Sequence, residues 1–173
     1  MRKGIICFLC LILLCGCSTG VQLKKQTFTI ELGKDIYANP SLYIKNGVDS
    51  TRLKVVSNSV GIEKVDNRFV TSGLDYLVVG EYDFSIVNGK QTIPFVIKVK
   101  DTVAPVCSSD VSQITISQGS NIDWNSYFQA SDLSGVNFEA NVDTSQVGTQ
   151  NVTVKIADRF GNSVTKNVSV VIE

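Results

Sequence analysis

Apolar and polar residues alternate along several stretches of this chain, at the two-residue period of half-buried β-strands. Phe28, Ile30 and Leu32 alternate with polar neighbours in the first such stretch. No long stretch has the 3.6-residue period of a helix, and one irregular turn is predicted near residues 125–128. The pattern predicts an all-β fold. Further strands are predicted at residues 52–56, 69–70, 82–86 and 93–99.

The clearest hairpin of the first half lies between residues 80 and 99. Alternating runs flank Asn88-Gly89, and this dipeptide is typical of a two-residue type I′ turn. Pro94 lies within the return strand, where its missing N–H removes one hydrogen bond of the ladder. We therefore expect an edge position or a bulge at Pro94.

The strand pattern occurs twice, which predicts two related all-β units. The offset between matching positions changes along the chain, because the first copy has a longer middle and the second copy has a longer final turn. The matching segments are 28–36 with 114–122 at an offset of 86, 79–86 with 147–154 at 68, and 93–99 with 164–170 at 71.

Residues 101–105, Asp-Thr-Val-Ala-Pro, separate the two copies. Pro105 fixes its own φ angle and restricts Ala104 to extended geometry. Because this joint is short, we expect the two flanking units to be stiffly coupled. The predicted domains are residues 26–100 and 101–173.

Four short motifs follow one another in the second copy: residues 101–105, Ala130–Gly135 (Ala-Ser-Asp-Leu-Ser-Gly), Val147–Thr149 (Val-Gly-Thr) and Ala157–Asn162 (Ala-Asp-Arg-Phe-Gly-Asn). Their sequence and order resemble bacterial immunoglobulin-like surface domains, the hyalin-repeat-like modules of exported proteins. The first copy is a looser match, because Asn88-Gly89 replaces the last of these turns. The resemblance implies two tandem immunoglobulin-like β-sandwiches with Greek-key connections. It implies no activity, because such modules serve both as spacers and as binding units.

The N-terminal residues have the pattern of an export signal. Basic residues at positions 2–3 precede an apolar run over residues 5–14, which is too short to span the ~30 Å core of a bilayer. Leu14, Gly16 and Cys17 then resemble the lipobox of bacterial lipoproteins. A plain secretory signal with incidental cysteines is the alternative, and the polar residues after Cys17 disfavour a transmembrane anchor.

The lipobox resemblance implies cleavage between Gly16 and Cys17 and a diacylglycerol, with acyl chains of the palmitate type, on the Cys17 thiol. Residues 1–16 are then the signal peptide, and residues 17–25 form a lipidated tether. We expect the protein at the cell membrane, on the extracytoplasmic side, with the membrane as its partner through the lipid on Cys17.

Charge balance and missing residue types exclude several kinds of function. Lysine and arginine together number 16, as do aspartate and glutamate, so no basic field exists to bind nucleic acid. The chain has no histidine, which excludes Ser-His-Asp and Cys-His catalytic sites and histidine-ligated metal sites. Cys107 is the lone cysteine after Cys17, so no intramolecular disulfide is expected. We interpret Cys107 as a small packing residue rather than a reactive thiol.

Asp132 and Asp158 are the acids with the most motif-like surroundings. Calcium takes six to eight oxygen ligands, and these two acids stand alone and far apart in sequence. We therefore interpret each aspartate as an acceptor of backbone N–H groups in its own turn, with Gly135 or Gly161 at positive φ. No metal site is expected.

Trp124, Tyr127 and Phe128 form an aromatic cluster in one short segment. Such a cluster suits a sugar-stacking platform, but core packing is the commoner fate of these residue types. No catalytic residue and no cofactor are indicated. The sequence therefore predicts a non-enzymatic surface lipoprotein that acts as a binding, scaffold or spacer module, with a cell-surface protein or glycan as ligand. The alternative is a histidine-free hydrolase of cell-envelope glycans or peptides.

Overall fold

The alternating pattern forms thirteen strands and two 3₁₀ turns in the computed structural model, which describes residues 20–47 and 49–173. The predicted signal peptide 1–16 and Cys17 lie outside the described residues. Among the described residues, no helix has the length and apolar character needed to cross a bilayer. The strands of the first unit are β1 (Thr27–Glu31), β2 (Ile36–Tyr37), β3 (Lys54–Ser57), β4 (Ile62–Val65), β5 (Arg68–Thr71), β6 (Gly80–Asn88) and β7 (Gln91–Lys100). Those of the second unit are β8 (Val106–Cys107), β9 (Gln113–Ile116), β10 (Ala130–Ser131), β11 (Asn137–Glu139), β12 (Gly148–Ala157) and β13 (Ser163–Ile172), and the 3₁₀ turns are Pro40–Leu42 and Trp124–Ser126.

The first unit is a β-sandwich whose strand pairing is that of an immunoglobulin domain. One sheet has the order β1-β7-β6-β3 and the other has the order β2-β5-β4. Strands two to seven therefore pair as B-E-D and G-F-C do in immunoglobulin sandwiches. Both sheets contribute to one apolar core, in which the rings of Phe69 and Phe84 meet edge to face with centroids 4.9 Å apart.

The second unit repeats the larger sheet of the first. Its strands have the order β11-β12-β13-β9, and the short pair β10-β8 belongs to the opposite layer. Among the described residues, the second unit has no counterpart of the β4-β5 hairpin. The core nevertheless closes, because the 3₁₀ segment before β10 packs against the sheet and leaves Phe128 only 1% exposed. The chain is thus two tandem immunoglobulin-like β-sandwiches.

The observed strand pairing gives the last strand a repeat offset that is two residues larger than the offset predicted from the sequence. Val99 pairs with Gly80 in the first sandwich, and Ile172 pairs with Gly148 in the second, so the true offset of the last strand is 73 rather than 71. The longer turn, five residues between β12 and β13 against two after β6, accounts for an offset of 71, and the β12–β13 ladder has ten pairs against nine, which adds the other two residues. A shift of two residues keeps each side chain on its predicted face of the sheet.

The hairpin turn differs from the sequence prediction, and strand β4 was not predicted. Asn88 pairs with Gln91, so the two turn residues are Gly89 and Lys90. Of these two, Gly89 alone has positive φ, at 58°, which fits a type II′ turn rather than the predicted type I′. Strand β4 was missed because three of its four residues are exposed, so it lacks the apolar alternation of a half-buried strand.

The start of the first sandwich is a further correction. Residues 21–24, predicted to belong to the tether, are part of the fold. Val21 and Leu23 pack against the first core, and Leu23 forms a β-bridge with Ile44. The Lys24 ammonium donates to the Ser41 carbonyl at 2.9 Å. Because these residues bury apolar surface and pair their backbone, the described part of the predicted tether is bound to the sandwich.

Candidate functional site at the joint between the sandwiches

Three aspartates meet at the end of the second sandwich that faces the first. Asp101 follows β7, Asp132 follows β10 and Asp158 follows β12. One carboxylate oxygen of each lies within 4.8 Å of the others, and within the described residues only these acids have the spacing of a metal-binding group. Asp132 and Asp158 are thus far apart in sequence but close together in space.

The turn interpretation of Asp132 is confirmed. Its Oδ1 accepts the backbone N–H and the hydroxyl of Ser134, both at 2.8 Å. Gly135 has φ 93°, a conformation that L side chains rarely adopt. These hydrogen bonds use Oδ1 alone and fix the direction of the carboxylate.

The turn interpretation of Asp158 is also confirmed, and this carboxylate is more tightly held. Its Oδ1 accepts the N–H groups of Phe160 at 2.7 Å and Asn162 at 3.0 Å, and its Oδ2 accepts the Asn162 side-chain amide at 2.6 Å. The residue is 6% exposed. Burial by itself raises the pKa of Asp158, but the hydrogen bonds from Asn162 and Phe160 outweigh it and hold that pKa below its usual value.

Asp101 is the member of the group with fewest partners. Its Oδ1 accepts one long hydrogen bond, 3.4 Å, from the N–H of Val103. Its Oδ2 exposes less than 1 Å² and has no hydrogen-bond donor among the described residues. The ion pairs found in the described part of the chain are Arg68–Asp35, Lys98–Glu81 and Lys155–Glu139, and none of them involves the three aspartates.

Contacts on both sides fasten the joint to the two sandwiches. On the first sandwich, the Glu31 carboxylate accepts the N–H of Thr102 at 2.7 Å and its hydroxyl at 2.6 Å. The hydroxyl of Thr102, followed by its N–H, holds the pKa of Glu31 below its usual value. On the second sandwich, the Asn162 amide donates to the Asp101 carbonyl at 3.2 Å.

The two sandwiches also touch directly through Leu133 and Gly33. A Cβ added to Gly33 would lie 2.6 Å from the Leu133 Cδ1 atom. Beside this contact is a groove of about 240 Å³. This volume is below the ~300–1,000 Å³ of typical small-molecule pockets. The residues that line the groove are Leu32, Tyr76, Val78, Val79, Leu133, Ser134, Arg159 and Phe160.

The aromatic cluster packs into the second core, as predicted. Phe128 is buried, and its ring centroid lies 6.1 Å from that of Trp124. Trp124 and Tyr127 are partly buried and pack against the same core. Asp123 caps the 3₁₀ turn Trp124–Ser126, and its carboxylate accepts the N–H of Asn125 at 3.1 Å. Cys107, a free thiol, also packs against this core, in agreement with its predicted role.

Asp158 is poorly suited to act as the acid of a hydrolase. A glycoside hydrolase needs one carboxylic acid with a raised pKa to protonate the leaving group. Asp158, the most buried of the three acids, has a lowered pKa because of its hydrogen bonds. Its oxygens are also engaged by the Asn162 and Phe160 donors. These features favour a structural or ligand-binding role for the group.

No protein-family model and no curated protein match this chain. It is similar to a solved structure of human mucin-like protocadherin EC1-2, with 10% identity over 89% of this chain and 98% of that chain and a TM-score of 0.33. Extracellular domains 3–5 of Drosophila OTK give 14% identity, coverages of 89% and 62%, and a TM-score of 0.41. An endo-fucoidan hydrolase of glycoside hydrolase family 107 gives 13% identity, coverages of 88% and 28%, and a TM-score of 0.27. All three scores are below 0.5, so the immunoglobulin-like description rests on this chain's own strand pairing.

Proposed function

We propose that this chain is a lipoprotein anchored by Cys17 on the outer side of a cell membrane, and that its two sandwiches act as a non-catalytic binding or spacer module. The supporting observation is the joint, which hydrogen bonds on both sides and a direct contact hold between two closed cores. Two sandwiches that are coupled in this way can hold a binding surface at a fixed distance from the membrane anchor.

The direction of the first strand determines which sandwich lies nearer to the proposed membrane anchor. Strand β1 lies parallel to β7, and both strands run towards the joint, where Glu31 contacts Thr102. The chain therefore enters the first sandwich at the end away from the joint. With a lipid on Cys17, the second sandwich is held farther from the membrane than the first. Its ten-residue strands, at ~3.4 Å per residue, are about 34 Å long.

The anchor is tested by cell fractionation of Cys17→Ala. This variant should leave the membrane fraction or remain unprocessed, because it lacks the thiol that accepts the lipid. Cys15→Ala is the matched control, since it removes a neighbouring cysteine and leaves Cys17 in place. Equal processing and equal membrane retention of Cys17→Ala and the wild type would show that Cys17 is not the anchor.

The binding role is tested by incubating the chain with cell-wall glycans and peptides. Saturable retention without turnover is the expected result. Release of soluble products in proportion to time and protein would favour the hydrolase instead.

A further inference from the structure

We propose that Asp101, Asp132 and Asp158 bind one calcium ion at the joint between the sandwiches. The proposal goes beyond a binding or spacer function, and it depends on two independent features of the structure. One is the mutual spacing of the three carboxylates. The other is a buried carboxylate oxygen that has no partner.

The spacing of the three carboxylates is compatible with one calcium ion. Calcium–oxygen distances are ~2.3–2.6 Å, so ligands on opposite sides of one ion are up to about 5 Å apart. The three carboxylate oxygens lie within 4.8 Å of one another, which is inside that limit. Calcium also accepts six to eight oxygen ligands in flexible geometry, which suits carboxylates from three separate segments, whereas magnesium demands a near-ideal octahedron and usually keeps several of its waters.

The unpartnered oxygen is the Oδ2 atom of Asp101. It exposes less than 1 Å², and no described residue donates to it. A buried acceptor without a partner loses its hydration and gains nothing in return, and the loss is larger for a charged group. A cation bound to this oxygen removes that cost. The turn role of the other two aspartates gives no reason for such an atom, so this feature is independent of their hydrogen bonds.

The neighbouring carboxylates keep oxygens available for an ion. The turn of Asp132 uses Oδ1, and no described residue donates to its Oδ2. Asp158 Oδ2 accepts a single hydrogen bond, from the Asn162 amide. The turns therefore hold two carboxylates in place without exhausting their oxygens. Backbone carbonyls and water supply the remaining ligands that calcium needs.

Because of where the three aspartates lie, an ion bound to them should affect the joint between the sandwiches. Asp101 belongs to the connection, whereas Asp132 and Asp158 begin two loops of the second sandwich. The next residues of these loops, Leu133 and Arg159, line the groove against the first sandwich. An ion shared by the three carboxylates therefore fastens the connection to the loops that touch the first sandwich, and it should stiffen the pair.

Thermal unfolding of the chelator-treated full chain tests the proposal. Extracellular calcium modules have Kd values of ~10⁻⁴–10⁻³ M. Calcium chloride at 10 mM should then raise the Tm by about 5 °C or more. The same concentration of magnesium chloride should give a smaller shift. The turn interpretation alone predicts no shift, so the titration separates the two interpretations.

Two variants show whether the shift comes from this site. Asp132→Asn keeps an Oδ1 acceptor for Ser134 and removes the charge, so it should abolish most of the calcium shift. Asp143→Asn is the matched control, because Asp143 accepts the N–H of Ser145 at 3.1 Å and its hydroxyl at 2.6 Å in an equivalent turn. This control should keep the full shift.

Equilibrium dialysis with radioactive calcium gives a second measurement that does not depend on unfolding. The wild type should bind one ion per chain, and Asp101→Asn should bind at least tenfold more weakly. The proposal is wrong if the wild type binds no calcium at 10 mM. It is equally wrong if Asp143→Asn loses binding to the same extent as Asp101→Asn and Asp132→Asn.

Discussion

The contact between Leu133 and Gly33 predicts that Gly33→Ala destabilises the chain more than the same change at the repeat-equivalent glycine. Gly119 lies 86 residues later, and both glycines have φ 77°. The backbone cost of alanine is therefore the same at the two positions. The surroundings differ, since a Cβ at Gly119 has nothing within 4 Å, whereas a Cβ at Gly33 lies 2.6 Å from Leu133 Cδ1.

The magnitudes follow from these two terms. A non-glycine residue in the left-handed region costs ~1–2 kcal/mol, and this is the full cost expected for Gly119→Ala. Gly33→Ala has the same strain and also displaces a methyl group of the flexible Leu133 side chain, which adds up to about 1 kcal/mol when that side chain leaves its rotamer. Leu133 is 56% exposed, so Leu133→Ala alone should lower the free energy of unfolding by much less than the truncation of a buried leucine does. In the Leu133→Ala background, Gly33→Ala should lose the extra cost.

Urea unfolding of the four variants and the wild type measures these differences. Trp124 is the only tryptophan, so its fluorescence follows the second sandwich. Four of the five tyrosines lie in the first sandwich, so the tyrosine part of the near-ultraviolet circular dichroism reports mainly on that unit. The coupling between Gly33→Ala and Leu133→Ala should be up to about 1 kcal/mol. Equal costs for the two glycine variants, or a cost at Gly33 that Leu133→Ala leaves unchanged, would refute the direct contact between the sandwiches.

Two further predictions concern the separate sandwiches. A fragment of residues 101–173 should fold alone, because the residues of its core all belong to the second sandwich. It should show a β-type circular dichroism spectrum and unfold cooperatively, with marginal stability, when Trp124 fluorescence is followed. A non-cooperative transition would indicate one intertwined domain. Burial raises the pKa of Tyr43 to about 12, above its unfolded value near 10. The buried Tyr43 hydroxyl therefore contributes stability below pH 10 that is lost as the pH rises towards 12, and urea midpoints should fall over this range. Tyr43→Phe should flatten that fall, and an unchanged pH profile in this variant would exclude Tyr43 as its cause.

Much of the fold could be predicted because the information is local. The alternation of residues 82–86 and 93–99 reports which side chains face the core, and both segments lie in strands. The repeat was visible for the same reason, since each copy keeps its own apolar face. Strand β4 was missed because its side chains are mostly exposed, and its pairing with β5 depends on the Asp66-Asn67 turn, where Asp66 has φ 52°. Such a strand carries no apolar pattern for the sequence to show.

The aspartate group was missed because proximity in a sandwich depends on which end each strand reaches. Asp132 and Asp158 were correctly interpreted as turn residues, which is a local property. Their meeting with Asp101 depends on three strand ends lying at one end of the second sandwich. A sequence-level clue did exist: all three acids belong to the motifs that resemble one family, and the motif turns alternate between the two ends of such a fold. The connection enters the second sandwich at the end that carries the β10–β11 and β12–β13 turns. An acid in each of these three segments therefore lies at the same end of the sandwich. Strand order, rather than sequence distance, decides whether acids in a β-sandwich form a group.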